Sequence, residues 1–212
     1  MKIFFDDITS LFGSDKRQKL IKQLARENHW SFKARRNFAQ DPIQSFDFRL
    51  FNDKSAKRLK SIVSFKVRAL TGGFRIYDCH FVKGLGTKTT TVFEYFQKDM
   101  TLPAFMIQPK PGAGFFKNWF SEEDAPVILT ATPDFLDNYH IATNDHFKLK
   151  ENLTEEFLDR FGDDKDWSAE GNENCLIYYQ YGDQVPPKML LERLETFVYL
   201  VYDLENGKTF LR

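Results

Sequence analysis

Residues 74–109 constrain this chain most. They read F-R-I-Y-D-C-H-F-V-K, then G-L-G-T-K-T-T-T-V-F-E-Y-F-Q, then a Leu102-Pro103 break followed by A-F-M-I-Q-P. β-Branched and aromatic residues dominate both long runs, and glycines separate them. That pattern predicts two long strands joined by a glycine turn, with a third strand after the break. The remaining segments read as helices and smaller hairpins gathered round that sheet. The expected fold class is α+β: an antiparallel sheet centred on residues 62–108 with flanking helices. The 212 residues suit either one domain or two lobes sharing a core. The core has ample material, because the chain holds 23 Phe and each buried aromatic removes roughly 150–250 Å² from water.

Along the chain, residues 1–13 read as a short lead-in ending at Gly13. Ser14 is the expected N-cap of a helix running to about Asn28, with Leu20, Ile21 and Leu24 on its apolar face and Lys16, Arg17, Lys19, Lys22 and Arg26 largely elsewhere. Arg35 and Arg36 fall in an expected loop, with Lys33 nearby. Phe46, Phe48 and Leu50 alternate with Asp47 and Arg49, as in a half-buried strand, and a further strand is expected at 62–70. The K-P-G-A-G run after Pro109 is the candidate boundary between a first unit, 1–110, and a C-terminal α+β lobe, 111–212. In that second part a strand is expected at 127–132, a helix capped by Thr154, a hairpin turning at Asn172–Asn174, and a long amphipathic helix after Pro186-Pro187.

The net charge of zero hides a division. Residues 1–75 carry 17 Lys and Arg against 7 Asp and Glu, and residues 76–212 carry the opposite excess. Such an asymmetry predicts a basic face, which either meets an anionic partner or is neutralised by the acidic half. No run approaches about 18 apolar residues, so no transmembrane helix is expected. The start M-K-I-F-F-D-D does not read as a signal peptide, and a cytoplasmic location is the expectation. Cys79 and Cys175 both lie in strand-like runs and are expected to be buried thiols.

Several segments form a set. They are the H-W-S-F after the basic helix, the I-Y-D-C-H-F-V-K-G-L-G-T-K hairpin, the L-P-A-F-M-I-Q-P strand, P-D-F-L-D-N-Y-H-I, and W-S-A-E-G with L-I-Y-Y and V-P-P-K-M-L-L-E. Together they resemble a family of uncharacterised bacterial proteins over most of residues 20–200. Some members of that family carry membrane helices, which this sequence lacks. The resemblance implies a shared fold and assigns no activity and no catalytic residue.

The Gly84–Thr89 loop is not a phosphate loop. Lys88 does not follow a glycine, and the residues after it are those of a strand. Asp78 and His80 share one strand face and Cys79 takes the other, so Cys79 and His80 cannot meet as nucleophile and base within that segment. His29, His80, His140 and His146 show no metal-ligand spacing, and no cofactor is implied. Glu170 is expected at a hairpin tip, and Asp78 beside Glu94 is a candidate carboxylate pair.

The working expectation is a non-enzymatic binding or interaction module. Its basic N-terminal face would comprise Lys33, Arg35, Arg36, Lys57, Arg58 and Lys60. The partner would be an anionic surface or a protein. Nucleic acid phosphates fit the charge, but no nucleic-acid motif accompanies it. The alternative is an enzyme with a site near Asp78, His80 and His140, with or without a metal. Self-association through Phe115, Phe116, Trp119 and Phe120 is compatible with either reading.

Overall fold

The central hairpin forms in an unbroken register, from Gly73 opposite Phe96 to Lys83 opposite Gly86. The computed structural model describes residues 3–52, 54–83, 86–110, 133–163 and 165–206. Among them, eight strands make one antiparallel sheet: β1 (Ser31–Asn37), β2 (Ala56–Phe65), β3 (Gly73–Lys83), β4 (Gly86–Phe96), β5 (Leu102–Pro109), β6 (Tyr139–Thr143), β7 (Ser168–Glu173) and β8 (Cys175–Tyr179). Their order is β1-β2-β3-β4-β8-β7-β5-β6. Five helices accompany them: α1 (Ile3–Glu27), α2 (Pro133–Asn138), α3 (His146–Asn152), α4 (Glu155–Gly162) and α5 (Leu190–Asn206). The class is α+β, as expected. The sheet is continuous across residue 110, because β4 pairs with β8. The expected strand at 127–132 and the Phe115–Phe120 cluster lie outside the described residues.

Strand alternation sends side chains of the central strands to two different cores. On one face Phe74, Ile76, Phe93, Tyr95, Leu176 and Tyr178 join the helices. Phe197 of α5 is wholly buried there, stacked on Tyr178 at 5.7 Å and packed against Phe74 and Phe93. On the other face Tyr77, Cys79, Val92, Cys175, Ile177 and Tyr179 are covered by residues 38–51. That segment is a strap of three short 3-10 turns, Phe38–Gln40, Pro42–Ser45 and Arg49–Phe51. Cys79 and Cys175 are buried and not joined in a disulfide, as expected.

Several expectations give way to tertiary packing. The first helix does not begin at Ser14 but runs unbroken from Ile3 through Gly13. Its inward stripe is Arg17, Ile21, Leu24 and Ala25, while Leu20 is exposed. Phe46–Leu50 is no strand. Asp41 caps the 3-10 turn that starts at Pro42 by accepting from the Ile43 N–H. Phe48 and Leu50 are buried from that strap, not from a ladder. Lys33, Arg35 and Arg36 sit on the edge strand β1 and not in a loop. β2 begins at Ala56, so Lys57, Arg58 and Lys60 belong to it. A bulge at Ser61, which has φ of 53°, changes the phase of β2 between Lys60 and Val63.

Two glycines on this sheet have opposite roles. At Gly171 an added Cβ would overlap the buried Phe105 ring, whereas at Gly73 it would meet no described heavy atom within 4 Å. Gly171→Ala is therefore expected to lose about 1–3 kcal/mol through overpacking. Gly73→Ala is expected to be neutral or slightly stabilising. Urea unfolding of the two variants side by side checks this; equal losses would refute it.

Candidate functional site

The six basic residues singled out from the sequence lie together on the β1–β2 ribbon at one edge of the sheet. The register sets Arg35 opposite Lys60, Arg36 opposite Leu59 and Asn37 opposite Arg58. Like charges directly opposite each other on a sheet destabilise it. Arg35 facing Lys60, with Arg58 nearby, is thus a local cost, offset in part because Lys60 also stands opposite Asp78 on β3. Two of the six are engaged internally. Arg36 pairs with Asp41 at 3.2 Å and donates to the Gln40 carbonyl. Lys57 donates to the Ser55 carbonyl and lies 5.8 Å from the Phe38 ring centre. Lys33, Arg35 and Arg58 are exposed and Lys60 is half-buried. Among the described residues, none of these four has an ion-pair partner.

Asp41 links this ribbon to a buried charge network on the strap side. Arg75 donates two hydrogen bonds to Asp41, at 2.9 and 2.8 Å, and two to Glu94, at 2.7 and 2.5 Å. Burial works against the Arg75 charge, but the Glu94 and Asp41 carboxylates outweigh it and hold its pKa above the usual value. This network floors a cleft of about 500 Å³ between the Pro42–Phe46 turn and the ends of β2, β3 and β4.

The residues of the alternative enzymatic reading are not brought together. Asp78 accepts from Arg17 Nε and Nη2, both at 2.8 Å, and from the Thr91 hydroxyl at 2.8 Å. Arg17 also donates to the Val185 carbonyl at 2.5 Å. Asp78 therefore docks α1 and the segment before α5 onto the sheet. Its side chain is on the opposite face from Glu94, so the expected carboxylate pair does not form. His80 is held uncharged by burial and then by the neighbouring Lys60, with a pKa lowered to about 4. His140 lies on β6, five strands from β3, or about 24 Å at roughly 4.8 Å per strand. No group of three metal-ligating side chains is assembled among the described residues.

Glu170 is not at a hairpin tip but buried in mid-strand on β7. It accepts from the Arg49 N–H at 2.5 Å, the Leu50 N–H at 2.9 Å and the Tyr179 hydroxyl at 2.6 Å. It thereby ties the far end of the strap to the sheet. Burial raises its pKa and these donors oppose that rise, leaving it at about 7. Neither Arg17 nor Glu170 was identifiable as a structural charge from the sequence. Both occupy positions that local patterning assigns to solvent.

No protein-family model and no curated protein matches this chain. Among solved structures, the crystal structure of the mycobacterial trehalose monomycolate transport factor A, TtfA, is similar. The TM-score is 0.62 at 12% identity, over 92% of this chain and 96% of that one. At that identity the likeness shows a shared fold.

Two outcomes follow from the buried charges. Asp78→Asn leaves the Arg17 guanidinium buried without its ion, and a loss of about 3–5 kcal/mol in urea unfolding is expected. Replacing both by leucine is expected to recover most of that loss. A single variant as stable as the parent would mean the pair does not hold α1. For Glu170, the folded pKa lies above the ordinary carboxyl value, so the folded state holds the proton more tightly. Its stabilising contribution is full below about pH 4.5 and is lost as pH rises through 7. The loss is expected to be about 3 kcal/mol, and Glu170→Gln should flatten the stability profile between those limits.

Proposed function

We propose that this protein is a non-enzymatic binding module that presents the β1–β2 ribbon to an anionic surface. The observation that carries this reading is the juxtaposition of Arg35, Lys60 and Arg58, with Lys33 further along the same edge strand. Four cations are held there at the cost of mutual repulsion; Lys60 faces Asp78 across β2–β3, and among the described residues Lys33, Arg35 and Arg58 have no carboxylate paired to them. An anionic surface would relieve that repulsion, and each Lys or Arg brought near such a surface contributes about 1 kcal/mol. That a like fold belongs to a protein titled as a transport factor supports a docking or carrying role over a catalytic one.

The ribbon is built for a surface rather than for a small anion. β1 is the outermost strand and is exposed along most of its length. The basic side chains spread over two strands and do not converge on one point. A flat array of that kind reads charge density and is screened by salt.

The test is co-sedimentation with phosphatidylglycerol vesicles at low ionic strength, with phosphatidylcholine vesicles, duplex DNA and single-stranded RNA as further arms. Binding to the anionic vesicles is expected to fall steeply between 50 and 300 mM salt, about the range over which a surface charge is screened. Lys33→Glu combined with Arg35→Glu, both exposed on β1, is expected to weaken it at least tenfold, with thermal unfolding unchanged. Vesicle binding that ignores both salt and the double variant would overturn the reading. Preference for nucleic acid would reassign the partner.

A further inference from the structure

The cleft on the strap side has the features of a ligand site independent of the ribbon. Its volume of about 500 Å³ falls within the roughly 300–1,000 Å³ of small-molecule pockets. Its walls are apolar, with Pro42, Ile43 and Phe46 from the strap and Phe96 from β4; Phe65 also borders it, but its ring stacks on Trp30 and Phe74 on the other face of the sheet. Phe96 is 42% exposed and meets Phe46 edge to face at 6.5 Å across the cleft. A large ring left open to water beside a concavity is a hydrophobic cost that an apolar occupant removes.

Gly73 is the second observation. It stands directly opposite Phe96 in the β3–β4 register and lines the cleft. Its neighbour Gly72 must be glycine, since a Cβ there would come within 2.5 Å of the Phe96 carbonyl oxygen and of the Tyr95 ring. No such crowding applies to Gly73, where a Cβ would point into open space, nor is its φ in the left-handed region. Gly73 opens β3 directly after the bend at Thr71 and Gly72, and having no side chain it leaves this part of the cleft open to an occupant.

Charge selects the kind of ligand. The polar groups on the cleft wall are Lys66, exposed at the rim, and the Arg75–Glu94 pair at the floor, with Ser64 beside them. Arg75 and Glu94 satisfy each other, and Asp41 completes the Arg75 set. The floor therefore offers no unpaired charge for a buried head group. The rim offers one cation. An apolar body enclosed below a single cation matches an amphiphile with one chain and one anionic head, its head held at the mouth.

We propose that this cleft binds one single-chain anionic amphiphile. The chain lies along Ile43, Phe46 and Phe96 over Gly73, and the head group meets Lys66. This inference does not depend on the ribbon. The two regions lie on either side of Asp41 and use different residues.

Sodium dodecanoate is the probe, titrated into the full chain at pH 8 below its micelle concentration and followed by calorimetry. Saturable binding at one per chain is expected, and dodecyltrimethylammonium, with the same chain and the opposite head, is expected to bind at least tenfold more weakly. Gly73→Leu places a side chain in the cleft and is expected to weaken dodecanoate at least tenfold. Phe96→Ser, at a residue already open to solvent, removes a wall and is expected to do the same. Lys66→Glu is expected to weaken dodecanoate several-fold and to close the gap to the cationic probe. Lys33→Glu with Arg35→Glu, the ribbon variant, is expected to leave dodecanoate binding unchanged. No saturable binding, or binding indifferent to Gly73→Leu and Phe96→Ser, would overturn the proposal. Equal affinity for both probes would overturn the anionic head.

Discussion

Both faces of β3, β4 and β8 are covered at the centre of the sheet, so each charge there has to find its partner inside the protein. Two clusters, one under the helices and one under the strap, leave little water at the centre of the sheet. Asp78 is 2% exposed and Glu94 4%. An isolated carboxylate at either place would be strongly unfavourable. Each is instead the receiver of an arginine that comes from, or is shared with, the layer above. Arg17 descends from α1 to Asp78, and Asp41 comes from the strap to Arg75 and Glu94. These pairs add little net stability compared with apolar side chains of the same shape. Their effect is positional: a helix or strap shifted by one residue would strand a buried charge.

This explains which parts of the fold were legible. The central hairpin, β5, the β7–β8 hairpin, α4 with its Thr154 cap and α5 all follow from alternation, turn residues and caps, because there local preference and tertiary packing agree. Arg17 was not legible. A lone arginine among Lys16, Lys19 and Lys22 reads as solvent-facing until Asp78 is known to lie beneath it. Phe46–Leu50 mimicked a strand because a 3-10 strap over a flat sheet can also bury alternate residues. The strand β1 was hidden for the opposite reason. As an edge strand with Lys33, Arg35 and Arg36 exposed or half-buried, it has no apolar face to announce it.

The basic residues illustrate a further limit on what composition conveys. The excess of Lys and Arg before residue 76 reads as one basic half, yet the structure divides it into three uses. Arg17 and Arg75 are internal ties. Arg36 and Lys57 hold the strap against the ribbon, through Asp41 and the Phe38 ring. Only what remains on β1 and β2 is available to a partner. Net charge over a segment overstates the field at the surface by whatever the interior consumes.

Asp41 stands between the ribbon and the cleft, and its bonding decides how far one feels the other. It accepts two hydrogen bonds from Arg75, one from the Ile43 N–H and the longer contact from Arg36. Drawing Arg36 away toward an anion removes the weakest and most exposed of those partners. The other three remain, and they hold Pro42–Ser45 and Arg75 where they were. The cleft floor is thus insulated from events on the ribbon. Coupling between two sites requires an element with two arrangements that both can bias, and a carboxylate with three retained donors is not one.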